Sequence, residues 1–133
     1  MITIDCITIQ ALCHATESED NVLQALHHLY PAYKKVTAAG YFNNPIHVFT
    51  ARVTRKKEVT TLVQLLQSTI VINDIRRRMD KKGNLYIRLD KQELYSGNTV
   101  LKDNGEIKII VHVQSYPFRL EDAIQYAKGI FSH

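Results

Sequence analysis

Two segments with strict two-residue alternation restrict the fold most. Leu85, Ile87 and Leu89 alternate with Tyr86, Arg88 and Asp90, and Ile107, Ile109, Val111 and Val113 recur at the same spacing. Successive side chains of a strand point to opposite faces, so each segment buries one face and leaves the other to solvent. Tyr86 and Arg88 then share the solvent side. A third segment, residues 2–13, places Ile2, Ile4 and Cys6 in one phase and Ile7, Ile9, Ala11 and Cys13 in the other. The slip between Cys6 and Ile7 calls for a bulge or for burial on both faces. Residues 33–39 read as a short strand, and residues 46–54, β-branched and aromatic, as a longer one. Asp103-Asn104-Gly105 is a hairpin signal that predicts strands at about 98–102 and 106–114, with Pro117 ending the second.

Helical spacing separates these strands. Val22, Leu23, Leu26, Leu29 and Tyr30 share one face, Thr16 with Glu19 fits a capping box, and Pro31 stops the helix. Thr54 is placed to cap a helix that buries Val59, Leu62, Val63, Leu66 and Ile70, with a break near Ser68–Thr69. Ile72, Ile75 and Met79 resume the spacing, with Arg76, Arg77 and Arg78 mostly off that face. A turn follows at residues 80–84, a turn or short helix at 92–94, and a final helix at 120–131 burying Ala123, Ile124, Ala127, Ile130 and Phe131. The expected architecture is α+β: one domain over residues 1–133, a largely antiparallel or mixed sheet with three or four helices chiefly on one face. The other face, or a sheet edge, is left for a ligand.

At 133 residues, 45% hydrophobic and 23% charged, the chain has the mix of an ordinary globular domain. No uncharged apolar run approaches the ~18 residues of a membrane span, and Met1 to Cys6 lacks a basic leader, so a cytoplasmic protein without membrane contact is expected. Cys6 and Cys13 lie in one extended segment, ~23 Å apart at ~3.3 Å per residue, too far for a disulfide. They read as small core residues.

The charge is uneven. Residues 1–33 hold four acids (Asp5, Glu17, Glu19, Asp20) and no Lys or Arg. Residues 34–91 hold thirteen Lys or Arg against four acids, and residues 92–133 hold four against five. Nearly the whole basic excess sits in the middle, densest at Arg76-Arg77-Arg78-Met79-Asp80-Lys81-Lys82, with Arg88 and Lys91 beyond and a second cluster at Arg52, Arg55, Lys56 and Lys57. Such asymmetry points to a polyanion partner, although solvated surface faces would carry the same pattern. In an RNA reading, Arg76, Arg77, Arg78, Lys81 and Lys82 form a phosphate-binding corner that Arg88 and Lys91 extend, with Arg52 and Arg55 as a further cluster. Tyr86 offers a ring for a base on the face of Arg88.

Other chemistry finds little support. There is no glycine-rich phosphate loop, no GxSxG elbow, no HExxH and no paired ligand spacing, so neither a cofactor nor a metal is expected. His14 with Glu17 reads as a local hydrogen bond at a strand-to-helix junction, or as a catalytic pair. Asp80, Asp90 and Glu93 are the carboxylates that a metal-dependent nuclease would draw on.

Three blocks resemble an archaeal family described as RNA-binding proteins or exosome subunits: His14-Ala-Thr-Glu17, Gly40-Tyr-Phe-Asn-Asn-Pro-Ile46, and Arg78-Met-Asp-Lys-Lys-Gly-Asn-Leu-Tyr-Ile-Arg-Leu-Asp-Lys-Gln92 through Gly97. The likeness runs from about residue 5 to about residue 115. It implies a fold similar to the globular part of the large-subunit ribosomal protein that binds 5S rRNA. Asn43 stands where the family's loop suggests Gly. Asn43, Asn44 and His47 come from the second block and are candidates to hydrogen-bond bases or a 2′-hydroxyl; the two asparagines also suit a plain turn.

Three functions are therefore weighed. The first is a non-catalytic RNA-binding module, accessory to RNA processing or ribosome biogenesis. The second is a protein-interaction subunit in a complex or homodimer, its acidic and basic parts pairing between chains. The third is a metal-dependent RNA nuclease.

Overall fold

The computed structural model of the chain describes residues 2–14, 17–38 and 46–132. Five strands, β1 (Ile2–Cys13), β2 (Lys34–Ala38), β3 (Ile46–Val53), β4 (Asn84–Leu89) and β5 (Ile107–Ser115), form one antiparallel sheet in the order β2-β3-β1-β5-β4. The α-helices are α1 (Glu19–Leu26), α2 (Lys56–Gln67), α3 (Ile75–Arg78), α4 (Lys91–Tyr95) and α5 (Leu120–Phe131), with a 3₁₀ turn at Ile72–Asp74 leading into α3. The α+β class is as the sequence predicts. The described helices number five rather than three or four, because the run from 72 to 79 and the piece after Asp90 each close a helical turn. No described helix is long and apolar enough to cross a membrane.

The alternation in the sequence is the alternation in burial. Leu85, Ile87 and Leu89 of β4 are buried, as are Ile107, Ile109, Val111 and Val113 of β5, while the residues between them are half-buried or exposed. In β1 the slip falls where it was expected, since Cys6 and Ile7 are buried consecutively and every second residue from Ile7 to Cys13 is then buried. The two thiols are free and part of the core, and burial is the main force raising their pKa. β2 and β3 pair antiparallel, from Lys34 opposite Thr50 to Ala38 opposite Ile46.

The chain packs as two compact units. The first comprises residues 1–7, 52–87 and 109–133, the second residues 8–51 and 88–108. In the first, α5 packs against α2 and α3. Val59, Leu62, Val63 and Leu66 of α2 are buried, as are Ala123, Ile124, Ala127 and Phe131 of α5; Ile130 is only half-buried, and its carbonyl accepts a 3.0 Å hydrogen bond from Gln67. In the second, α1 packs on α4, and Val22, Ala25 and Leu26 of α1 and Leu94 of α4 are buried.

Three local expectations are corrected. Ser18, not Thr16, is the N-cap of α1, its hydroxyl accepting from the Asn21 amide; Thr16 lies outside the described residues. Arg55, not Thr54, is the N-cap of α2, and no side chain caps that end. The segment 98–102 does not form a strand beside β5. It runs along the end of β4 instead, where Asp90 N donates to Val100 O (2.9 Å), Lys102 N donates to Arg88 O (3.0 Å) and Leu101 bridges to Leu89. β4 is an edge strand whose unpaired backbone groups demand partners, and this segment supplies them. Gly105 is then needed for close approach, because a Cβ there would collide with the Leu89 carbonyl.

Candidate nucleic-acid interface

In the first unit the basic run enters through α3 and the turn into β4. Asp80 holds this turn. Its Oδ1 accepts from the Lys82 amide (2.8 Å) and the Asn84 amide (2.9 Å), and its Oδ2 accepts from the Asn84 side chain (3.1 Å) and the Tyr86 hydroxyl (3.3 Å). Burial opposes the charged form of Asp80, but these donors outweigh it and hold its carboxyl below the usual value. Asn84 Oδ1 in turn meets His112 Nδ1 on β5 at 2.5 Å. Gly83 closes the turn at φ +87°, with its carbonyl accepting from Val113 N (3.0 Å). A Cβ on Gly83 would come within 2.7 Å of the Val113 carbonyl and 2.9 Å of the Phe118 ring, so only glycine fits.

The turn presents Lys81 and Lys82 to solvent, and neither ammonium has a carboxylate within ion-pair distance among the described residues. The three arginines before it do meet acids. Arg76 Nη2 lies 2.7 Å from Glu121 Oε1, Arg77 Nε 3.4 Å from Asp74, and Arg78 Nη2 4.0 Å from Asp74. The Arg76–Glu121 pair is more than half exposed on both sides, whereas Arg78 is tucked in at 11% side-chain exposure. Exposed pairs of this kind contribute little to stability and exchange readily with other anions. In the same unit Arg52 lies 3.8 Å from Asp5 and Arg55 3.8 Å from Glu58, both arginines well exposed.

The basic run ends differently in the second unit. Lys91, 8% exposed, donates to the Leu12 carbonyl (2.8 Å) and to both Glu17 carboxylate oxygens (2.9 and 3.0 Å), and pairs with Glu106 at 2.5 Å. Burial favours the neutral amine, but the two glutamates prevail and raise its pKa above the ordinary value. Hydrogen bonding to Lys91 is the main cause that keeps the Glu106 carboxyl low. Glu17 also accepts the His14 amide (3.1 Å), the local bond the sequence suggested for this pair. His14, Glu17 and Glu106 bring potential ligand atoms within 4.8 Å of one another, but the ammonium already occupies the space between the carboxylates. Two of the family-like blocks, the one from His14 to Glu17 and the one from Arg78 through Gly97, thus meet at Lys91.

The remaining candidates are dispersed. Arg88 is exposed and donates to the Gly105 carbonyl (3.2 Å). His47 contacts Thr37 (3.0 Å) and Glu19 (3.1 Å), and Glu19 also pairs with Lys35. Asn43 and Asn44 lie outside the described residues. Three of the four N-terminal acids, Asp5, Glu17 and Glu19, have basic partners within the chain. Two aromatics beyond the sequence-derived set stand out: Tyr116 is 90% exposed and Phe118 40%. Their signal was weak, two aromatics flanking Pro117 in a segment without periodicity.

The chain resembles known archaeal proteins along most of its length. An RNA-binding protein from Pyrococcus abyssi is 27% identical, with 90% of this chain and 88% of that one covered. An uncharacterized protein from Methanocaldococcus jannaschii is 29% identical over 78% and 80% of the two chains. The solved structure of a DUF54 protein from Methanothermobacter thermautotrophicus superposes with a TM-score of 0.86 at 28% identity, covering 97% of this chain and 98% of that one. Residues 6–115 match the family described as RNA binding, and the chain belongs to that family.

Proposed function

We propose that this protein binds RNA without catalysing a reaction on it, through the α3–β4 corner of its first unit. The observation that carries the reading is the presentation of Lys81 and Lys82 on a turn held by Asp80, next in sequence to Arg76 and Arg77, which are more than half exposed and whose partners are the exposed Glu121 and the half-buried Asp74. A phosphate strand can replace those carboxylates at small cost, because the guanidinium groups are already at the surface. Membership of the RNA-binding family supports the same partner. Lys91 is left out of this contact set, since its charge is committed to Glu17 and Glu106. Tyr86 can offer only a ring face, its hydroxyl being tied to Asp80.

The reading extends to an accessory role in RNA processing, as in an exosome, or in ribosome biogenesis, within a larger cytoplasmic assembly. A metal-dependent nuclease is disfavoured, because both carboxylates of the His14, Glu17 and Glu106 cluster are already paired with the Lys91 ammonium.

Fluorescence anisotropy with labelled oligouridylate across a salt series tests the contact. Affinity should fall steeply with salt. Replacing Arg76, Arg77, Lys81 and Lys82 by alanine should flatten the log–log slope by about 3, at roughly 0.7 per lost phosphate contact on a single strand. A slope identical in wild type and variant would remove this corner from the interface.

A further inference from the structure

We infer that the α3–β4 corner takes single-stranded RNA, with an unpaired base stacked on an aromatic ledge formed by Tyr116 and Phe118 beside Lys81 and Lys82. The inference rests on the RNA reading above and specifies the strandedness of the ligand. All four residues belong to the first unit. Phe118 lies directly against Gly83, the residue after Lys82, since a Cβ on Gly83 would meet its ring at 2.9 Å. Tyr116 is two residues from Phe118, within about 7 Å along the chain. The backbone bond from Val113 N to Gly83 O fixes the start of this segment to the basic turn.

The exposure of the ledge is the unusual feature. Tyr116 is 90% exposed and Phe118 40%, while Phe131 is 1% exposed and Phe49 2%. An isolated exposed aromatic needs no explanation, but here two of them flank one proline, and one of the two lies against the glycine that follows two ammonium groups without a carboxylate partner among the described residues. Phosphates follow the ammonium groups and bases stack on rings, which is the pattern of single-strand recognition. A duplex hides its base faces and offers only backbone to such a ledge, so it would use the lysines and leave the rings idle. The aromatic and basic parts therefore make separable contributions.

The test compares oligouridylate and oligoadenylate with an RNA duplex of equal length, using the full chain. Tyr116→Ala should weaken single-strand binding about tenfold while leaving duplex binding and the salt slope unchanged. Tyr116→Phe should retain wild-type affinity. Lys81→Ala with Lys82→Ala should weaken both ligands and flatten both slopes. The chain contains no tryptophan, so Tyr116→Trp supplies a single indole whose emission should be quenched by the single strands and not by the duplex. Single-strand binding unaffected by Tyr116→Ala, or a wild-type preference for duplex, overturns the ledge and leaves the RNA reading standing. Failure of the wild type to bind either RNA overturns both.

Discussion

Lys81 and Lys91 belong to one basic run, yet they meet opposite physical conditions. At Lys81 and Lys82 the charges stand on a turn held from below by Asp80, and the ammonium groups remain in water. At Lys91 the ammonium lies under the surface and donates to two carboxylates and a backbone carbonyl. A solvated cation is available to any polyanion that approaches, and binding releases the counterions it attracts. A buried, paired cation joins α4 to the end of β1, to Glu17 and to Glu106 just before β5, and is unavailable unless the pair breaks. Equal positive charge in a sequence is therefore no measure of equal function.

The contrast breaks most readily at Lys91. Lys91→Met should leave Glu17 and Glu106 without the ammonium between them and lower stability by about 2–4 kcal/mol in urea denaturation, in the lower half of that range because Glu106 is 45% exposed and His14 Nε2 stays 3.5 Å from it. RNA affinity of the folded variant should be unchanged; a loss of affinity without a loss of stability would return Lys91 to the interface. Next in size is Gly83→Ala. Positive φ and the close Val113 carbonyl should cost about 1–3 kcal/mol, and displacement of Lys82 and Phe118 should weaken RNA binding as well. The same measurement on Gly105→Ala should show destabilisation alone.

The pH dependence sharpens the comparison further. Glu106 has a lowered pKa, so its stabilising contribution is full above its ordinary value of 4.5 and is lost as pH falls through the lower folded value. Lys91 has a raised pKa, so its contribution is full below 10.5 and is lost as pH rises through the higher folded value. The stability difference between wild type and Lys91→Met should therefore be flat at neutral pH and shrink at both extremes. A constant difference down to strong acid would exclude this ion pair as its source. The smallest effect belongs to the exposed corner. Glu121→Gln removes the competitor of Arg76 and should raise RNA affinity about two- to threefold, with no measurable change in melting temperature. Unchanged affinity would mean that Arg76 does not reach the RNA.

Much of the fold was legible because its signals are local. The alternation of Leu85, Ile87 and Leu89 and of Ile107 to Val113 marked two strands and their buried faces, and α5 spans the residues its spacing indicated. The segment 98–102 was misread because a turn signal states that the chain reverses but not which strand receives it. That segment pairs with β4, whose edge needed hydrogen-bond partners. Capping was misread at Thr54 because residue type shows the capacity to cap, whereas backbone geometry decides which residue does so.

The candidate site was less legible. Charge counting found the basic run and the turn between Asp80 and Asn84, both continuous in sequence. It could not separate Lys81 from Lys91, because the acids that claim Lys91 come from distant segments, Glu17 being 74 residues away. Arg76 likewise meets Glu121 across 45 residues. Periodicity, composition and the charge excess arise from neighbouring residues, and the chain order alone sufficed to establish the α+β class and a basic middle. Which cations stay in water, which are paired, and which aromatics stay exposed depended on packing between remote segments, since electrostatic pairing and burial follow distance in space rather than distance along the chain.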